Sequence, residues 1–344
     1  MEEDTVLYLT MEDVRACNGE DASAARADVS KALAIHAGGE TALPPKITLS
    51  PPFGEQEHSS HYVVMPAYVG GDVQMAGVKW VSVGQECDSS SIPAIPSLIL
   101  LVNHGNGRPI AIMDGTLLTG IRTAAVTAVA AKALANPQAE VLGLIGAGFQ
   151  SRMHLQSLME VLPCLKEIRI YNRTHLKAQE LAACYSTQFH GSIRAVRQAE
   201  AAVQGADVVV SATSSLTPII QQAWLKEGVF YAQVGTHECT FEAVHDFNKI
   251  YVDDWEQILR RGVQTLAMMA SHGQWDGSRL HGTLGDYLNG QISGRESASE
   301  KIMFSGIGLG VTDICMAERI YRTAVAKGIG NKLPLWGKGE IIRT

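Results

Sequence analysis

Val141-Leu-Gly-Leu-Ile-Gly-Ala-Gly-Phe-Gln-Ser151 reads as a short apolar strand, a glycine turn and the start of a helix. The turn has the spacing Gly146-x-Gly148-x-x-Ser151. Gly146 permits the tight turn, Gly148 lets backbone come close to a pyrophosphate, and a small residue at 151 keeps helix and sheet together. Free N–H groups and the dipole at the helix N-terminus favour an anion there. A glycine pattern alone is weak evidence, but here a second strand follows at the right remove. It ends in Ile168-Arg-Ile-Tyr-Asn172-Arg173-Thr174, where an NAD site usually carries Asp or Glu for the ribose 2′-hydroxyl. Asn172 has no charge to repel a 2′-phosphate, and Arg173 can pair with one. NADP(H) is therefore expected in preference to NAD(H), the other reading being that Arg173 stacks on adenine or points to solvent. From this stretch the cofactor-binding residues are Gly146, Gly148, Gln150, Ser151, Asn172, Arg173 and Thr174.

Outward from the turn, short β-type runs at 141–146, 167–172, 207–212, 229–235 and 249–253 alternate with helix-like stretches at 150–160 and 176–187. That alternation predicts a Rossmann-type doubly wound parallel sheet in an α/β protein. Thr213, Val234 and Gly235, at the ends of later strands, join the expected cofactor set. Residues 254–272 and 315–327 read as further helices. Upstream, residues 116–136 are rich in Ala, Leu and Val and stop at Asn136-Pro137, as a helix does. Before that helix the pattern is different. Strand-like pieces begin at Ile47, Ser59, Gly77, Pro96 and Pro109, with a turn at Asn103-His-Gly-Asn-Gly-Arg-Pro. An antiparallel or mixed sheet with one N-terminal helix over 11–37 is expected, forming an α+β domain. At 344 residues two domains are the natural division: 1–122 with 319–344, and 123–318.

The bulk properties remove several function classes. Net charge is −7 with no Lys/Arg block, which argues against nucleic acid or an anionic membrane as partner. No uninterrupted apolar run reaches the ~18 residues of a membrane span. The start Met1-Glu-Glu-Asp is acidic where a signal peptide is basic, so a cytoplasmic protein is expected. Six scattered cysteines form no CxxC pair, and reduced thiols rather than a metal site are the expectation.

Taken together, the motifs resemble those of the ornithine cyclodeaminase/μ-crystallin family over nearly the whole chain. The carriers are Met65-Pro-Ala-Tyr-Val-Gly-Gly followed by Gly77-Val-Lys79, and Asp114-Gly-Thr-Leu-Leu-Thr-Gly-Ile-Arg122-Thr-Ala-Ala. The Gly146 turn and a late Gly306-x-Gly308-x-Gly310-x-x-Asp313 complete them. The family includes ornithine and lysine cyclodeaminases, an archaeal-type alanine dehydrogenase, ketimine reductases and N-carboxyalkyl amino acid dehydrogenases. The resemblance implies a homodimer whose N-terminal domain and final helix form the substrate and dimerisation module. It also implies that Lys46, Lys79 and Arg122 surround a substrate carboxylate. A planar guanidinium grips a carboxylate bidentately, and positive charge beside a C=N makes it a better hydride acceptor. Asp313 matches a family position near the nicotinamide, with helix capping as the alternative. Met65, Trp80 and Gln85 are candidates to line the side-chain pocket.

One departure bears on the reaction. Cyclodeaminases and the alanine dehydrogenase type carry an Asp two residues after the glycine that ends the fifth strand. Here the stretch is Gln233-Val-Gly235-Thr236-His237-Glu238-Cys239, which puts His237 at that place. Histidine shuttles protons near neutral pH but offers a substrate ammonium no lasting anion. Glu238 supplies one if the loop is shifted by a residue. The catalytic set expected is Lys79, Arg122 and His237, in an NAD(P)H-dependent oxidoreductase acting on the CH–NH or C=N group of a small α-amino or α-imino acid. Two alternatives stand beside it: ornithine cyclodeamination with bound NAD, and a non-catalytic, crystallin-like NADP-binding protein. Asp253-Asp254-Trp255 offers two further acids, one to line the cleft or, for Asp254, to cap a helix.

Overall fold

The computed structural model describes residues 5–50, 61–83, 93 and 95–336. The chain divides into two compact units, 1–119 with 310–344, and 120–309. The expected divisions lay at 122 and 318. The second differs because residues 310–318 belong to one continuous helix, Gly310–Lys327, all of which falls in the first unit.

In chain order, the first unit begins with β1 (Thr5–Leu9), α1 (Met11–Ala16), α2 (Ala22–Ala37), β2 (Thr41–Ala42) and β3 (Ile47–Leu49). It continues through β4 (His61–Val69), β5 (Met75–Val83), β6 (Ser97–Asn103) and β7 (Pro109–Asp114). Helix α3 (Thr116–Leu134) starts there and leads into the second unit. The second unit holds β8 (Val141–Ile145), α4 (Phe149–Val161), β9 (Glu167–Tyr171), α5 (His175–Tyr185), β10 (Ser192–Val196), α6 (Ala199–Val203), β11 (Val208–Ser211) and β12 (Phe230–Gln233). After these come α7 (Phe241–His245), β13 (Lys249–Val252), α8 (Trp255–Arg261), α9 (Thr265–Ser271), β14 (Gly282–Thr283), α10 (Leu284–Leu288) and β15 (Ile302–Ser305). The chain then returns to the first unit with α11 (Gly310–Lys327) and β16 (Asn331–Pro334).

The single N-terminal helix expected over 11–37 is two. Asn18 sits at φ 60 and a side chain on Gly19 would strike Val14, so the chain turns before Asp21 caps α2 through the Ala24 N–H. The helix expected over 254–272 is also two. Asp254 caps α8 through the Gln257 N–H, and Gly262 ends it in the left-handed region at φ 71.

The first unit's sheet runs β16-β1-β7-β6-β5-β4-β2, with β3 also on β4. It is mixed, since β1 pairs β7 parallel while β4 to β7 pair antiparallel. Its inner face is covered by α11, which packs on β4, β5 and β6 and on α2. Strand alternation puts Trp80 and Leu98, cross-strand partners, on the other face, where both are exposed.

The second unit's sheet is parallel throughout, in the order β10-β9-β8-β11-β12-β15-β13-β14. Strand order reverses between β8 and β11, and ligands of open α/β sheets bind outside the strand ends at such a point. The strands are nearly continuous buried apolar runs, as a sheet covered on both faces requires. Helix α3 corrects one expectation: by length and composition it is apolar enough to cross a membrane. Within the fold it is a core helix, with 83% of its most apolar window buried.

Candidate functional site

Each part of the site is built within one unit. In the second, Gly146 follows β8 at φ 109, and a Cβ there would strike the Ala212 carbonyl. Gly148 precedes α4 with no atom within 4 Å of where a Cβ would stand, and no side chain caps the helix. An open glycine and an uncapped N-terminus on a 13-residue helix fit a phosphate group. Ser151 is fully buried, its oxygen beside Gly146, and Gln150 is half-buried. Asn172 ties the next strand end to this turn: its Oδ1 accepts from Ala147 N at 3.1 Å and its Nδ2 donates to the Thr174 carbonyl at 3.0 Å. Both ends of the amide are thus spent on backbone. Arg173 and Thr174 are exposed.

Behind the turn, α4 meets α3 within the same unit. His154 is fully buried, its Nδ1 donating to the Gln150 carbonyl at 2.8 Å and its Nε2 bonded to Thr127 Oγ1 at 3.0 Å. Burial holds this imidazole down at about 4, so it is neutral at physiological pH.

The C-terminal ends of β11, β12 and β15 carry a polar row, Ser211, Gln233 and Ser305, in cross-strand register. All three are fully buried. Ser305 Oγ donates to Gln233 Oε1 at 3.2 Å, and Gln233 Nε2 donates to the Thr236 carbonyl at 2.6 Å. Glu238 is fully buried beneath the same loop. Its carboxylate accepts from Ser211 Oγ (2.7 Å), Thr213 N (2.6 Å), Thr213 Oγ1 (2.7 Å) and Gly235 N (2.8 Å). Burial raises its pKa, and the hydroxyl and amide donors oppose the rise. Glu238 therefore clamps the loop ends bearing Thr213, Val234 and Gly235. His237, next in line, is half-buried. Its Nδ1 lies 3.3 Å from Thr265 Oγ1 and its ring packs on Phe241. Burial, with a contribution from His272, lowers its pKa.

Arg122, on α3, is buried and lines a small cavity with Thr127, Gln233, Val234 and Gly306. Its guanidinium lies against Gly308, whose φ of 73 and missing side chain make the space; a Cβ would overlap it. Asp253 fixes that glycine loop, accepting from Ile307 N (3.0 Å) and Gly308 N (2.6 Å). Asp253 is thus a loop anchor, and Asp254 is the helix cap.

In the first unit, Lys79 on β5 and Asp313 on α11 form a fully buried ion pair, Nζ to Oδ1 2.7 Å. Asp313 lies in the first turn of α11. Met65 pairs with Lys79 across β4 and β5 on the same buried face. Trp80, one residue on, points to the opposite face and does not share a pocket with Lys79. Lys46 is half-buried just before β3. Gln85 lies outside the described residues. The structure brings Lys79 and Asp313 together in one unit, and Arg122, the Gly146 turn and His237 into the other.

Gln233, Thr265 and the clamping part of Glu238 were not anticipated. Their signal was present: apolar strand runs that each close on one polar residue, at 211, 233 and 305.

The ornithine cyclodeaminase/mu-crystallin family matches residues 7–328. The chain belongs to this family. An alanine dehydrogenase of Archaeoglobus fulgidus is 30% identical over 333 residues, 95% of this chain and 98% of that protein. Among solved structures, Thermococcus litoralis Δ1-pyrroline-2-carboxylate reductase in complex with NADH and L-proline superposes with a TM-score of 0.87 at 26% identity, covering 95% of this chain and all of that one. An archaeal alanine dehydrogenase dimer with bound NAD does so with a TM-score of 0.85 at 28% identity, covering 96% and 100%.

Proposed function

We propose that this family member is an NADP(H)-preferring reductase of small α-imino acids, with amino acid dehydrogenation as the same reaction reversed. The protein is an NAD(P)H-dependent oxidoreductase of the C=N or CH–NH group, as are the reductase and dehydrogenases it resembles. The observation that carries the reading is the charge inventory of the candidate site. Two buried cations, Lys79 and Arg122, stand on family motifs, while the family's loop carboxylate is replaced by His237 and Glu238 is turned inward.

When bound, the dinucleotide supplies the hydride. The turn at Gly146 and Gly148 and the N-terminus of α4 hold its phosphates, and Asn172 with Arg173 accommodates a 2′-phosphate. Arg122 and Lys79, with Lys46, bind the substrate carboxylate; Asp313 keeps the Lys79 ammonium in place. Positive charge beside the carboxylate favours electron gain at Cα. His237 Nε2 exchanges the proton that accompanies C=N reduction. Ornithine cyclisation also requires a partner for substrate ammonium, which a loop without a free carboxylate does not offer.

The exposed face bearing Trp80 and Leu98 supports a homodimer built through the first unit's sheet, and the chain's composition supports a cytoplasmic enzyme.

The test is NADPH oxidation, with NADH in parallel, on Δ1-pyrroline-2-carboxylate, Δ1-piperideine-2-carboxylate, and pyruvate with ammonia or methylamine. Turnover on at least one is expected, with NADPH favoured about tenfold or more, the scale of one charge-assisted hydrogen bond. Ammonia release from ornithine with no net cofactor change would establish cyclodeamination instead. Tight NADPH binding without turnover on any substrate would establish the non-catalytic reading.

A further inference from the structure

Thr265 is fully buried at the start of α9, and its hydroxyl is the meeting point of three residues from the loop after β12. Gln233 Nε2 lies 2.6 Å from the Thr236 carbonyl and 2.7 Å from Thr265 Oγ1. A carbonyl only accepts, so that side-chain atom is the amide nitrogen, and it donates to Thr265 as well. Ser305 Oγ then donates to Gln233 Oε1 at 3.2 Å. The Thr265 proton is in reach of the Cys239 carbonyl at 3.5 Å, and the second lone pair is in reach of His237 Nδ1 at 3.3 Å and, at 3.6 Å, of the Cys239 thiol. A hydroxyl that donates to the carbonyl can accept from Nδ1–H.

We propose that Thr265 is a positioning residue for His237, its hydroxyl donating to the Cys239 carbonyl and accepting from Nδ1–H whether the ring is neutral or charged, which holds the neutral ring in the tautomer with a free Nε2 lone pair. Nε2 is then the atom that takes and releases the proton, and the ring need not move to do so. The proposal rests on the reading of His237 as the proton-exchanging group.

The surroundings leave that work to Thr265. The loop is pinned on either side of His237, by Thr236 Oγ1 donating to the Ser215 carbonyl at 2.5 Å and by Glu238 accepting from Gly235 N. The titratable neighbours are Glu238, turned inward onto its donors; Cys239, whose buried thiol is pushed up to about 12; and His272, beyond the Phe241 ring. From α9, the group that hydrogen-bonds the ring is Thr265.

Thr265→Val keeps the shape and removes the acceptor for Nδ1–H; Thr265→Ser keeps the hydroxyl. In Thr265→Val the charged ring loses the acceptor for Nδ1–H. Turnover is expected to fall about tenfold or more, within the range of general acid–base effects. The acid limb of the kcat–pH profile should move to lower pH, while the NADPH dissociation constant stays unchanged. Thr265→Ser should restore both the rate and the limb. In a His237→Ala background, Thr265→Val should change nothing further. An unshifted profile in Thr265→Val, a serine variant as impaired as the valine one, or an equal loss in the His237→Ala background would each overturn the proposal. If the wild type turns over no imine, the same question is read by ¹⁵N NMR of the His237 ring. A lower titration midpoint in Thr265→Val than in wild type supports the positioning role, and an equal one refutes it.

Discussion

The first unit buries its candidate cation against an anion, and the second sets a glycine beside its own. Lys79 meets Asp313 at 2.7 Å with both side chains fully buried. Arg122 lies on Gly308, in space that a side chain would fill, on a loop held by Asp253. Two kinds of preorganisation follow. The ion pair fixes an ammonium by charge, at a desolvation cost that close geometry has to offset. The glycine makes room for a guanidinium by shape. Elsewhere in the second unit, Thr127–His154 and Ser211–Gln233–Ser305 are buried neutral pairs and rows. Of its buried charged groups, Glu238 is satisfied by backbone N–H groups and hydroxyls, Asp253 accepts from backbone N–H groups, and Lys249 pairs with Glu296 and Glu300.

The hardest test of this contrast is Lys79→Met. It strands a carboxylate in the core, so a stability loss of about 3–5 kcal/mol is expected together with loss of turnover. Denaturant unfolding of Lys79→Met/Asp313→Leu should show most of the stability regained and none of the activity. Activity returning with stability would mean that Lys79 is purely structural.

Gly308→Ala probes the seat made by shape. Displacing Arg122 by about 1 Å is expected to lower kcat/KM for the imino acid by about 100-fold. The NADPH dissociation constant should change little. An alanine variant with wild-type kinetics would show that the seat does not set the position of Arg122.

The neutrality of the buried His154 is tested by acid. His154 is held down at about 4 against an ordinary value of 6.5, so between those pH values the unfolded chain binds a proton that the fold does not. Its contribution is complete above 6.5 and is lost as pH falls toward about 4. The total is about 3 kcal/mol. In His154→Gln the pH dependence of urea unfolding should flatten over that window. An unchanged slope would assign the acid sensitivity elsewhere.

The smallest expected effect is at the cofactor's edge. Arg173→Ala should reduce the preference for NADPH over NADH by about tenfold, read from the two KM values, while leaving NADH kinetics nearly intact. An unaltered ratio would place Arg173 in solvent.

The two units were unequally legible. The second announced itself through physics that is local in sequence: strand, Gly146 turn, helix, and a second strand ending at Asn172. In the first, Lys79 and Asp313 are 234 residues apart and no local pattern joins them. Only resemblance marked both, and it did not pair them. The strand alternation that buries Lys79 was legible, and it already separated Lys79 from Trp80. Helix breaks at Asn18 and Gly262 were hidden by continuous helical composition on both sides. Glu238 was unreadable as a clamp because its four donors come from two separate stretches of chain, Ser211 with Thr213 and Gly235. The polar row at 211, 233 and 305 was visible one strand at a time and became a network only once the strand order was known.

The central claim is hydride delivery to Cα of an α-imino acid. It is tested most directly by incubating the enzyme with each face-specific [4-²H]NADPH and Δ1-pyrroline-2-carboxylate, then locating deuterium in the product by NMR and mass spectrometry. The account predicts proline carrying one deuterium at Cα from one of the two labelled cofactors. Cofactor oxidation that leaves Cα without deuterium from either, or no reduction of this or any other α-imino acid, would contradict it.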